Sequence, residues 1–150
     1  MTAAQSGPLL SPGFWLHHAA LAWRAEFDAQ LAPLGLTPTQ FLLLASAGWL
    51  EHQDGPATQQ QIADLAGADR TMASKVMRTL VDNGLIRRVA HESDGRSVRI
   101  RLTPAGRELT AQAVTIAQEV DSRLFGPQSA DLRATLRHIA ENSRHRTPPR

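Results

Sequence analysis

Residues 58–106 read TQQQIADLAGADRTMASKVMRTLVDNGLIRRVAHESDGRSVRIRLTPAG. Thr58 is placed to cap a short helix over QQQIADLAG, with Ile62, Leu65 and Ala66 as its expected inward face. Gly67 breaks that helix, and Asp69 is suited to cap the next, RTMASKVMRTLVDNG, expected to turn Met72, Val76 and Leu80 inward. Two helices joined by a tight glycine turn make a helix-turn-helix unit. Asn83-Gly84 closes the second helix, and Leu85-Ile86 begins a strand. HESDGR turns the chain back, and Val98, Ile100 and Leu102 then alternate with Arg99 and Arg101 as a half-buried return strand.

Working outward, the flanks are helical. Leu16, Ala20, Trp23, Phe27, Leu31 and Leu34 recur at spacings of three or four, and Gly35 ends that run. Thr37-Pro38 is an N-cap followed by a first-turn proline, opening a helix with Phe41, Leu42, Leu44, Ala45 and Leu50; HQDGPAT at 52–58 is expected to be a loop. Thr103-Pro104 repeats the cap-and-proline device. Beyond it Leu109, Ala113, Ile116, Val120 and Leu124 form a packing seam that Gly126-Pro127 stops. A last helix carries Leu132, Leu136 and Ile139. The fold class is mainly α with a small β-hairpin. A winged helix-turn-helix region (35–103) is inserted between dimerisation helices (12–34 and 104–143), with flexible tails at 1–11 and 144–150.

Charge is unevenly spread along this plan. Residues 58–107 hold nine Lys/Arg against five Asp/Glu, while the remainder holds seven against nine, giving the overall +2. Five arginines fall between Arg87 and Arg101. Local positive charge on a near-neutral chain indicates a face for a polyanion. No apolar run approaches the ~20 residues of a membrane span, and the N-terminus lacks a secretory pattern, so a cytoplasmic location without membrane association is expected. With no cysteine there is no disulfide, thiolate metal site or cysteine redox switch.

The segments LTPTQFLLLASAG, QQQIADLAGADRTMASKVMRTLVDNGLIRR and DGRSVRIRLTPAG together resemble the multiple-antibiotic-resistance regulator (MarR) family. Asp94-x-Arg96, a strand ending Leu102-Thr103 and then Gly106 are the most specific elements. The resemblance implies a winged-helix homodimer with interleaved terminal helices. It also implies a transcription factor, usually a repressor, released from a palindromic operator by a small aromatic or phenolic ligand.

Residue chemistry points the same way. The second helix of such a unit enters the major groove, which makes Arg70, Thr71, Ser74, Lys75 and Arg78 candidate DNA contacts, with Gln60 a candidate phosphate donor. Arg96, at the hairpin tip, suits the minor groove, a role that the resemblance also implies; Asp94 and Gly95 are expected to shape the turn, or Asp94 to pair with an arginine, rather than meet DNA. Arg88 and Arg99 are candidate phosphate contacts, and for these two as for Arg87 and Arg101 intramolecular salt bridges or simple solvation are equally open. Trp15, His18, Arg24 and Trp49 are candidates for an effector cleft that the resemblance implies, though aromatic residues are more often core. His17 and His18 point in different directions on a helix and make no metal pair; no metal or cofactor is expected. No phosphate-binding glycine loop, zinc-type histidine pair or nucleophile elbow is present, so an enzyme is not expected. The rival is a winged-helix protein-interaction module that does not bind DNA.

Overall fold

A computed structural model describes residues 7–91 and 97–144. Its elements are α1 (Pro12–Leu31), α2 (Pro38–Asp54), α3 (Gln59–Ala66), α4 (Arg70–Asp82), β1 (Ile86–Ala90), β2 (Val98–Leu102), α5 (Pro104–Phe125) and α6 (Ser129–Arg144). They fall into two compact units, one of residues 24–116 and one combining residues up to 23 with those from 117 onward.

Local chemistry sets the helix starts in the first unit. Thr37 and Thr58 each accept from the backbone N–H three residues on, at 3.2 and 3.1 Å. Gln40 and Gln61 reciprocate by accepting from the threonine N–H at 2.9 Å. Each is a capping box, satisfying two orphan donors at once. Asp69 caps α4 by accepting from Met72 N–H at 3.0 Å. Gly67 turns α3 into α4 at φ 68°, a left-handed conformation that costs glycine no steric strain.

β1 and β2 pair antiparallel from Ile86↔Leu102 to Ala90↔Val98. Ile100 N–H also donates to Ala57 O at 2.8 Å, which adds a one-residue bridge to the hairpin. The core of this unit is Phe27, Leu31, Phe41, Leu43, Leu44, Ile62, Met77, Leu80, Ile86, Ile100 and Leu102, with Phe27 and Phe41 meeting edge to face at 5.0 Å.

Four expectations about facing and extent are revised. Helix α4 buries Ala73, Met77 and Leu80, whereas Met72 is 51% exposed and Val76 only half-buried. Both stripes have helical spacing, so periodicity alone does not choose between them. In α3, Ile62 and Ala63 face in and Leu65 faces out. Val98 is exposed because the alternation of β2 runs beyond the core that covers Ile100 and Leu102. His52, Gln53 and Asp54 extend α2 into the expected loop, up to Gly55.

Gly106 explains how the long helix begins. It is buried in the first turn of α5, and a Cβ there would lie 1.9 Å from Leu85 O. Thr103 fastens the same junction. Its N–H donates to Leu85 O at 3.1 Å, its hydroxyl donates to Gly84 O at 2.6 Å, and its Oγ1 accepts from Gly106 N–H at 3.0 Å.

Glu51 ties α2, β2 and α5 together. Its side chain is 7% exposed and accepts from Arg101 at 3.1 Å, from Arg107, and from Leu102 N–H at 3.2 Å. Arg101 and Arg107 stay partly in water, at 38% and 51% exposure, so they rehydrate readily if the carboxylate is lost. Glu51→Gln keeps the shape but weakens all three bonds, and is expected to cost about 1–3 kcal/mol. Thermal unfolding followed by circular dichroism checks this; an unchanged midpoint would mean that the clasp contributes nothing net.

In the second unit, residues 8–10 form a 3-10 turn within the stretch expected to be a tail, and Leu9 O accepts from Trp15 Nε1 at 2.8 Å. Trp23 Nε1 donates to Asp121 at 3.0 Å. An open apolar groove of about 1100 Å³ is lined by Trp15, Leu16, Trp23, Phe125, Leu136 and Ile139. Of the seam on α5, Ala113 and Val120 are fully buried while Leu124 is 43% exposed. Of the tails expected at 1–11 and 144–150, residues 1–6 and 145–150 lie outside the described residues, and Arg144 is the last residue of α6.

Candidate nucleic-acid interface

The cap at Asp69 and the burial of Ala73, Met77 and Leu80 fix which side of α4 faces solvent. Thr71, Ser74, Lys75 and Arg78 recur at helical spacing on one face; all are exposed except half-buried Ser74. Arg70, the first residue of α4, is also exposed. Five donor-bearing side chains are therefore gathered at one end and along one side of a rigid helix. Such groups suit base edges and phosphate oxygens.

Gln60, on α3, stands against Arg70. Its amide is satisfied with the oxygen turned toward the guanidinium, where it accepts from Nη1 at 3.1 Å and Nη2 at 2.6 Å. From the sequence alone Gln60 is a candidate phosphate donor; its partner across the turn is legible only in three dimensions.

The hairpin arginines divide by partner. Arg88 donates to Gln59 Oε1 at 3.4 Å and Arg99 to Gln61 Oε1 at 3.2 Å, so both join the ribbon to the start of α3. Arg99 Nε is buried and unpaired among the described residues. Arg101 belongs to the Glu51 clasp, and Arg87 is exposed directly opposite it in register. Part of the ribbon's charge thus has an internal use, which was one of the openings that the sequence left. Asp94, Gly95 and Arg96 lie outside the described residues.

The effector candidates are distributed over both units. In one, Trp15 and His18 come together with Phe14, at ring-centroid distances of 6.2 Å between Trp15 and His18 and 4.4 Å between Phe14 and His18. In the other, Arg24 donates to Thr39 Oγ1 at 2.8 Å, and Trp49 is 58% exposed on α2. Among the described residues, no three histidine or acidic side chains are grouped to hold a metal ion.

Comparison with known proteins matches this geometry to a described group. The profile of the MarR family covers residues 36–98. The chain is 35% identical to the uncharacterized HTH-type transcriptional regulator YdcH of Bacillus subtilis over 120 residues, 80% of this chain and 82% of that one. It is 30% identical to the HTH-type transcriptional repressor Rv2887 of Mycobacterium tuberculosis over 146 residues, 95% of this chain and all of the relative. Among solved structures, the transcriptional repressor CouR bound to a 23-mer DNA duplex superposes with a TM-score of 0.70. It is 29% identical, with 88% of this chain and 91% of that one covered.

Proposed function

The chain belongs to the MarR family of transcriptional regulators, which are not enzymes, and from that premise we propose that it is a repressor acting as a homodimer on an inverted-repeat operator. The observation that carries this reading is the exposed face of α4, where Thr71, Ser74, Lys75 and Arg78 stand opposite the buried Ala73, Met77 and Leu80. Helices of this kind read the major groove. Two neighbours support it: Rv2887 is a repressor, and CouR holds a DNA duplex. We assign Arg70, Thr71, Ser74, Lys75 and Arg78 to groove contacts. Arg96 is assigned to the minor groove. Arg88 and Arg99 brace the ribbon and add positive potential along the backbone.

The apolar groove between α1 and α6 supports dimerisation. A second copy is the occupant that would take its exposed Leu16, Leu136 and Ile139 out of water. The ligand that relieves repression is assigned to the small aromatic or phenolic class, which Trp15 and His18 suit by stacking and hydrogen bonding. Arg24 and Trp49 are the candidates of the other unit.

The test is enrichment of fragmented genomic DNA on the purified protein, followed by titration of a recovered duplex at increasing salt. A few fragments sharing an inverted repeat are expected. Affinity should fall by roughly a thousandfold or more between 50 and 200 mM salt if six or more phosphates are contacted. A folded protein that enriches nothing would instead be a protein-interaction module.

A further inference from the structure

We propose that Gln60 is a positioning residue for Arg70, holding its guanidinium so that one edge is presented to a guanine. This rests on the DNA-binding reading above. Gln59, Gln60 and Gln61 open α3, and each amide oxygen takes a different arginine: Arg88, Arg70 and Arg99 respectively. The outer two tether the ribbon. The middle one takes the first residue of α4, the only arginine of the three on the helix that faces the groove.

The geometry leaves Arg70 able to read. A guanidinium carries five N–H donors in a fixed fork. Gln60 engages Nη1 and Nη2 through one shared oxygen, which uses the two N–H groups pointing between those nitrogens. The Nε–H and the outer Nη2–H remain side by side and parallel. That pair fits the O6 and N7 acceptors of guanine, the commonest specific arginine contact. The choice of amide follows from charge. A carboxylate at position 60 would orient the guanidinium as well but would cancel the charge that draws it to DNA, whereas an amide oxygen orients it and leaves the charge in place. Both side chains are exposed, so an unheld Arg70 would sample many rotamers and lose order on each binding event.

The experiment compares the parent protein with Gln60→Ala, Arg70→Ala and the double variant. Each is titrated with the duplex recovered by enrichment and with duplexes bearing single base-pair changes across a half-site. Arg70→Ala is expected to lose preference at one base pair. Gln60→Ala is expected to lower the preference at that same pair by about fivefold to 100-fold, and the double variant to lose no more than Arg70→Ala alone. Three results would overturn the assignment: a uniform loss of affinity in Gln60→Ala with every preference kept, as for a phosphate donor; no change at all; or no preference lost in Arg70→Ala. A parent protein that binds duplex without any sequence preference would instead sink the operator reading itself, and one that binds no duplex the DNA-binding reading. Matching circular dichroism spectra across the four proteins confirm that folding is not the variable.

Discussion

Gly106→Ala is expected to lower stability by about 3 kcal/mol, the upper end of what overpacking a close-fitted site costs. The added methyl would sit 1.9 Å from Leu85 O and 2.9 Å from its carbonyl carbon, so main chain rather than a mobile side chain must move. Movement there pulls on three bonds at once, because Thr103 is fastened to Gly84 O, Leu85 O and Gly106 N–H. The thermal midpoint should fall by roughly 6–12 °C for a chain of this size. Gly48→Ala is the matched control. Its Cβ would meet only Leu102 Cδ1, at 3.1 Å, a side-chain terminus that can give way. The helix propensity gained there, up to about 1 kcal/mol, should leave that variant near the parent. A Gly106→Ala protein melting with the control would show that the close approach to Leu85 is relieved at no cost.

Leu136→Glu combined with Ile139→Glu is expected to abolish the proposed homodimer and leave a monomer. Both side chains line the groove, at 37% and 51% exposure within one chain, so the substitutions leave the fold of the chain intact. Burying a Leu or Ile fully contributes about 1.5–3 kcal/mol. Symmetry doubles each loss and adds the cost of bringing carboxylates into an apolar contact. Sedimentation should report a 16.3 kDa species. Operator affinity should drop by roughly 100-fold to 10,000-fold, because the second half-site is no longer offered at high effective concentration. A dimer that survives at micromolar concentration would place the interface elsewhere. Val120 is unsuited to this test, since it is fully buried within its own chain.

What was legible in the sequence divides along a physical line. Thr37, Thr58 and Asp69 were readable as caps because capping is decided within three residues. The pairing of the two strands was readable because alternation is also local. The phase of α4 was not, since Met72-Val76-Leu80 and Ala73-Met77-Leu80 are both helical stripes and only the surrounding helices decide between them. Glu51 was invisible for a different reason. Its partners lie 50 and 56 residues away, and nothing around position 51 announces a buried carboxylate. The glutamine tract reads as the start of a helix with Gln60 a candidate phosphate donor; that each oxygen meets an arginine depends on where the turn and the ribbon carry Arg70, Arg88 and Arg99. Gly106 could be recognised as part of a pattern, but its reason is the proximity of Leu85.

Lys75 is the one lysine among the sixteen basic residues that are Lys or Arg, and it stands exposed on α4. Amine-directed reagents therefore have a single side-chain target, and it lies on the surface assigned to the groove. Coupling through the lysine side chain would mask that surface, whereas bound duplex should shield it from acylation. Under that assignment, acylation of Lys75 is expected to fall when duplex is bound, a change readable by mass spectrometry without any engineered tag.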